Sequence, residues 1–204
     1  MFFSIDGIDG CGKTTQVQLL AEWLRQSGRE VLTCRDPGST DLGEAVRQLL
    51  LHRHDLRIDR RSEMLLYMAA RAQLTEEVLR PALAAGQCVI TDRYLLANVV
   101  YQGHAGGLDV ATLWQVGQVA TGGLRPELTI VLDLPVEAAA ARMQRSRDRM
   151  ELQGDEFHQR VRQGFLTEAA RNSQPIVVID ARQDVQAVQA EIRAVVGKAL
   201  EGAQ

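Results

Sequence analysis

Residues 7–15 read GIDGCGKTT. Gly7, Gly12, Lys13 and Thr14 satisfy G-x-x-x-x-G-K-[ST], the spacing of a loop that cradles polyphosphate. Glycines let backbone N–H groups turn inward around phosphate oxygens, and the N-terminus of the following helix adds partial positive charge. The run Gly7, Ile8, Asp9, Gly10, Cys11, Gly12, Lys13, Thr14 and Thr15 is therefore assigned to the triphosphate. Lys13 is placed to reach the β- and γ-phosphates, and the Thr14 hydroxyl to ligate Mg²⁺. One residue stands out. Asp9 puts a fixed negative charge in the middle of a loop built to attract anions.

A bound nucleoside triphosphate serves either a switch or motor that hydrolyses it, or a transferase that passes its terminal phosphoryl group to an acceptor. Hydrolysing ATPases usually end a strand on two acids, one for Mg²⁺ and one for water. Here VITDR (89–93) ends on Asp92 followed by Arg93, which assigns Asp92 to Mg²⁺ and leaves no second acid. The sequence also lacks an N/T-K-x-D motif for a guanine base. A cation beside the Mg²⁺ acid suits an acceptor that is itself a phosphate, because phosphoryl transfer is catalysed mainly by positioning and charge neutralisation. Arginines from separate segments must then converge. The candidates are Arg35, Arg71, Arg93 and the cluster Arg142, Arg145, Arg147 and Arg149. Arg35 and Arg93 follow the C-terminal ends of strands, where α/β sheets bind ligands.

The elements that must hold these residues are legible as an alternation. Strand-length apolar runs occur at FFSID (2–6), EVLTCR (30–35), QCVITD (87–92), LTIVLDL (128–134) and PIVVID (175–180). Helical patterns fill 14–27, 42–51, a segment capped by Ser62, kinked at Pro81 and ended by Gly86, and 93–122 with GHAGG (103–107) as an internal loop. Further helices end near Asn172 and span 183–200. The strands are near-continuous Val/Ile/Leu runs, the pattern of parallel strands covered on both faces. The expected fold is α/β, a five-stranded parallel sheet flanked by helices, in one domain over 1–204 with right-handed crossovers.

Composition narrows the class. Of 204 residues, 46% are hydrophobic and 24% charged, the balance of a soluble globular protein. A net charge of −3 argues against a broad nucleic-acid surface. No secretory signal and no apolar run of membrane-spanning length is present, so no membrane partner is expected. Cys11, Cys34 and Cys88 are odd in number and lack metal-ligand spacing, which reads as reduced thiols in the cytoplasm. Cys34 and Cys88 serve as small apolar filler, whereas loop N–H groups around Cys11 favour a thiolate. His52 and His54 form H-x-H in a polar connection and are not read as a metal site, and Trp23 and Trp114 are read as helix-packing residues.

Five segments in this order and spacing resemble the thymidylate kinase family over nearly the whole chain: GIDGCGKTT, TCRDPGST (33–40), LLYMAARAQL (65–74), DRYLLANVVYQG (92–103) and DRME (148–151). The resemblance implies transfer of a phosphoryl group from ATP, with Mg²⁺, to dTMP, giving dTDP for dTTP synthesis. It implies a three-layer P-loop kinase core, a short lid at about 142–153 and a homodimer packed through helices. The alternatives are a kinase for another deoxynucleoside monophosphate and a hydrolytic P-loop switch.

On the family pattern, Arg35 and Arg93 bind the acceptor phosphate, and Asp36, Pro37 and Ala97 belong to the same site. Tyr67 stacks on thymine and Arg71 bonds its edge. The two are four residues apart and share a helix face. Asn98 faces the base, Tyr101 crowds the sugar C2′, and Gln102 braces the loop or touches substrate. Asp9 is expected at the acceptor's 3′-hydroxyl, which would account for a carboxylate in the loop. The loop has no arginine of its own, so Arg145 and Arg147, with Arg149 third, are expected to bring charge to the γ-phosphate as the lid closes. VIDA (178–181) is expected to border adenine through the backbone at Ala181. Four departures from the family pattern stand out. Asp36 replaces a longer Glu, Ser39 replaces Gly and should stiffen its turn, Ala97 replaces Ser, and Val100 replaces Ala and should narrow the pocket.

Overall fold

A computed structural model describes residues 1–53, 55–143, 148–171 and 175–202. Five parallel strands, β1 (Phe2–Gly7), β2 (Val31–Arg35), β3 (Cys88–Asp92), β4 (Leu128–Asp133) and β5 (Ile176–Asp180), form one sheet in the order β2-β3-β1-β4-β5. The three central strands are buried almost throughout. The edge strands β2 and β5 are only partly covered, and Val178 is exposed. The C-terminal ends of β2 and β3 and the loop that follows β1 border the large cleft, at the sheet edge where α/β folds bind ligands. Phe2, Phe3, Ile5, Ile90 and Ile130 are fully buried, each burial stabilising by about 1.5–3 kcal/mol.

Helix α1 (Lys13–Gln26) buries Val17, Leu20, Ala21 and Leu24, the face its spacing predicts, and packs with α9 (Val185–Glu201) beside the sheet. Helix α2 (Asp41–His52) is capped by Thr40, whose hydroxyl accepts from Gly43 N. Helix α3 (Arg60–Leu74) starts earlier than Ser62 suggests, because the Asp59 carboxylate accepts from Arg61 N at 2.9 Å and caps it first. It runs through a wide π turn (Thr75–Leu79) into α4 (Arg80–Ala84), which absorbs Pro81 near its start.

After β3 come α5 (Leu95–Asn98), a second π turn (Val99–Ala105) and α6 (Val110–Ala120). The expected loop at 103–107 therefore shrinks: Gly103 lies within the π turn, where a Cβ would stand 2.7 Å from Leu113 Cδ1. That glycine permits close packing and does not break the helix. Helices α7 (Val136–Arg142) and α8 (Asp155–Ala170) follow β4, with a short 3₁₀ turn (Glu151–Gln153) before α8. No helix among the described residues is long and apolar enough to cross a membrane.

One buried acid sits in the sheet itself. Asp6 Oδ2 accepts from Ser4 Oγ at 2.6 Å, while Oδ1 has no partner among the described residues. Burial pushes its carboxyl up to about 6, against the Ser4 hydrogen bond and the Arg93 and Lys13 charges. A raised carboxyl favours the protonated folded state, so this stability is fully present below about 4 and is lost as pH rises through about 6. Asp6→Asn, which keeps an acceptor for Ser4, is expected to stabilise the protein at pH 8 by up to about 3 kcal/mol and to flatten stability between pH 4 and 6. Urea midpoints at pH 5 and 8 for both proteins check this, and equal differences at the two pH values would refute it.

Candidate active site

The phosphate loop joins β1 to α1. Gly12, at φ 99°, turns the chain into the helix. Gly10 is required by space, since a Cβ there would lie 2.4 Å from the Ala139 carbonyl oxygen. Lys13 Nζ donates to Ile8 O (2.9 Å) and Gly7 O (3.2 Å) and lies 3.7 Å from Asp9 Oδ1. Thr14 Oγ1 donates to Asp92 Oδ2 at 3.0 Å. Gly10, Gly12, Thr14 and Thr15 line a cleft of about 950 Å³, with Arg93 and Arg142, the last residue of α7, on its walls. Ile8 instead buries its side chain in the core, offering the loop only its backbone. Cys11 corrects the expected thiolate: burial pushes its thiol up, outweighing Lys13 and Arg93.

Thr14 and Asp92 are hard oxygen donors side by side at a helix N-terminus. No group of three or more His, Cys, Asp or Glu among the described residues could hold a metal. A sparse oxygen pair fits Mg²⁺, which keeps several waters and takes its other ligands from phosphate.

Asp9 is held by cations. Arg93 NH2 donates to its Oδ1 at 2.6 Å and Tyr101 Oη to its Oδ2 at 3.3 Å. Burial opposes its charge, but Arg93 and Lys13 outweigh burial and hold the carboxyl well below the usual range. Arg93 also donates to Gly7 O (2.8 Å) and lies over the Tyr101 ring at 5.0 Å, with its own φ at 69°.

A narrower pocket of about 90 Å³ adjoins the cleft, sharing Asp9, Asp36, Arg47 and Arg93 with it. Tyr67 and Arg71 enter it from α3, and Ala97, Asn98, Tyr101 and Gln102 from α5 and its π turn. Burial drives the Tyr67 hydroxyl above its usual range. Arg71 is buried; its Nε donates to Asp36 Oδ2 at 2.5 Å and its NH1 to Asn98 Oδ1 at 2.9 Å. Burial pushes the Asp36 carboxyl up while the Arg71 guanidinium pulls it back.

The sequence model of the thymidylate kinase family matches residues 5–192. The chain belongs to this family. It is 48% identical to a thymidylate kinase of Rhodopirellula baltica, over 94% of this chain and 78% of that one. It is 45% identical to a thymidylate kinase of Caldanaerobacter subterraneus, over 100% of this chain and 98% of its relative. The crystal structure of thymidylate kinase from Ehrlichia chaffeensis superposes with a TM-score of 0.78 at 31% identity, covering 96% and 98% of the two chains. Like other thymidylate kinases, the protein is a nucleoside monophosphate kinase, a phosphotransferase.

Residues placed by the family pattern fall unevenly. Pro37 lines the narrow pocket and accepts from Arg47 NH1 at 3.0 Å through its carbonyl. Arg35 stands on the rim of the large cleft only, its NH2 2.8 Å from Glu44 Oε2. Ser39 explains the fixed turn beside it: at φ 65° its hydroxyl accepts from Arg35 N at 3.0 Å and its N–H donates to Glu44. Val100 does not narrow the pocket; it points into the core and packs near Gly164 of α8. Ala181 does not line the cleft; its carbonyl accepts from Arg142 NH2 at 3.2 Å. Arg149 pairs with Glu63 and donates through Nε to Leu50 O at 2.6 Å, away from the cleft. Arg145, Arg147 and His54 lie outside the described residues.

Sequence reasoning missed three contributors. Arg47 reads as a surface helix arginine, yet it lines both cavities, and burial lowers its basicity. Asp148 and Met150 bring the segment before α8 to the narrow pocket. A cation in the middle of a short helix gives no local signal of such convergence.

Proposed function

We propose that this thymidylate kinase binds ATP along the large cleft and dTMP in the narrow pocket, and transfers the γ-phosphoryl group to the dTMP phosphate. The observation that carries this reading is that Asp9, Arg47 and Arg93 line both cavities. The two phosphates would meet there. Lys13 and the loop N–H groups hold the donor phosphates, and Arg93 and Arg47 neutralise the acceptor phosphate as the two anions approach. Arg35 is near enough on the rim to join them. Asp9 orients Arg93 and faces the acceptor sugar beside Tyr101. Tyr67 covers the base and Arg71 and Asn98 read its edge, with Ala97 leaving room beside it. Mg²⁺, held through Thr14 and Asp92, would draw charge from the phosphate oxygens. Arg145 and Arg147 remain the proposed lid cations, and the backbone near Ala181 the proposed adenine border.

Helices α3 and α6 pack together and expose Leu65 and Val119, which supports a homodimer through this face. Free Cys11, Cys34 and Cys88 support a cytoplasmic setting. An ADP-release assay across dTMP, dUMP, dCMP, dGMP and UMP tests the reading. dTMP should give the highest kcat/KM. A preference for dCMP or dGMP overturns the acceptor assignment, and equal ADP release without any acceptor would mark a hydrolase instead.

A further inference from the structure

Along the wall of the narrow pocket and on behind it runs an unbroken chain of polar side chains. Arg71 NH1 donates to Asn98 Oδ1 (2.9 Å), Asn98 Nδ2 to Gln102 Oε1 (2.6 Å), and Gln102 Nε2 to Glu63 Oε1 (2.8 Å). Glu63 Oε2 then accepts from Arg149 NH2 of the lid segment. Asn98 and Gln102 are each 2% exposed, and Glu63 is 6% exposed and does not line the pocket.

The ends of this chain have fixed polarity and the middle does not. A guanidinium only donates and a carboxylate only accepts, whereas an amide can turn to do either. Arg71 and Arg149 are therefore both donor-only, at opposite ends. A chain built only of amides between two donors must contain one junction where two donors meet. Glu63 removes that conflict, because its two oxygens accept from both directions at once. It thereby leaves one direction for both amides, with Asn98 Oδ1 turned to Arg71.

This matters for the base. Thymine presents O4 as an acceptor and N3–H as a donor, while cytosine presents the reverse pair, N4–H₂ and N3. Turning an Asn amide over exchanges donor for acceptor, which is the difference between the two bases. We propose that Glu63 is a positioning residue for base selection. It acts through Gln102 to hold the Asn98 amide in the orientation that accepts thymine and rejects cytosine. The inference rests on the narrow pocket being the dTMP site.

Two variants test it. In Glu63→Gln the carbonyl at position 63 can satisfy only one of its two donors, so both directions of the chain become nearly equal in energy. The expected result is a rise in kcat/KM for dCMP and a fall of about tenfold or more in the dTMP:dCMP ratio. General damage to the fold lowers both activities and does not raise the dCMP activity. In Glu63→Gln/Gln102→Glu the carboxylate moves one step inward at the same size and charge. Arg149 then donates to the amide at position 63, that amide and Asn98 both donate to the carboxylate at 102, and Asn98 regains its direction. The dTMP:dCMP ratio of this double variant should return to within about threefold of wild type. An unchanged ratio in Glu63→Gln, or a double variant as relaxed as the single, overturns the proposal. Should Glu63→Gln not fold, the fully bonded double variant decides alone, and loss of its dTMP preference overturns the proposal. A wild-type enzyme without dTMP preference would instead defeat the acceptor assignment itself.

Discussion

Arg93→Ala is expected to lower kcat/KM for dTMP by roughly 10³-fold or more, the scale of a guanidinium set on a transferring phosphoryl group. Arg93 touches both cavities and is fixed from three sides: by Asp9 at 2.6 Å, by Gly7 O at 2.8 Å and by the Tyr101 ring at 5.0 Å. Its backbone is held at φ 69°, while its N–H donates to Ile5 O at 3.0 Å. A non-glycine residue there costs on the order of 1–3 kcal/mol and persists only where its surroundings enforce it. Arg93→Lys should recover little, because a lysine ammonium cannot serve Asp9 and a phosphate through one planar fork. Steady-state kinetics with dTMP varied at saturating ATP measures the effect. A loss below about tenfold would remove Arg93 from the reacting centre.

The second large effect is on stability. Arg71→Met is expected to destabilise the fold by about 3–5 kcal/mol, because it strands the buried Asp36 carboxylate. Arg71 and Asp36 side chains are 2% and 0% exposed, and Asp36 Oδ1 already lacks a partner among the described residues. For a chain of this length the change corresponds to a melting temperature lower by roughly 10 °C. Asp36→Asn/Arg71→Met should recover part of the loss, since no unpaired charge is then left inside. A single-variant loss under about 1 kcal/mol would mean that water reaches the pair.

Local signals in the sequence foretold much of this. GKTT at the head of an amphipathic helix, strands written in Val, Ile and Leu, and Asp92-Arg93 at a strand end each state their place in the fold within a few residues. The edge strands β2 and β5 were harder to read, because half-covered and fully covered apolar runs look alike. The cap of α3 went to Asp59 over Ser62, a choice settled by where the chain enters the helix. Val100 looks like a pocket residue beside Ala97 and Asn98, yet the π turn carries it toward α8. Most of the missing content is pairing across long separations. Asp36 meets Arg71 and Glu63 meets Arg149 only after the sheet has assembled, and Arg47 becomes a site residue only when α2 lies over the pocket. A buried acid and a surface acid have the same letter, and no spacing rule separates them.

The π turn at Val99–Ala105 sets a rule about length. A π turn is an α-helix holding one surplus residue, and Tyr101 and Gln102 lie inside it while Asn98 immediately precedes it. Deleting Val99 or Val100 would remove the surplus residue and let the segment relax to an ordinary helix without breaking a strand. It would also shift Tyr101 and Gln102 around the helix relative to Asn98. Tyr101 would leave Asp9, and Gln102 would leave Glu63. This stretch should therefore tolerate exchange of its apolar side chains far better than a change in their number.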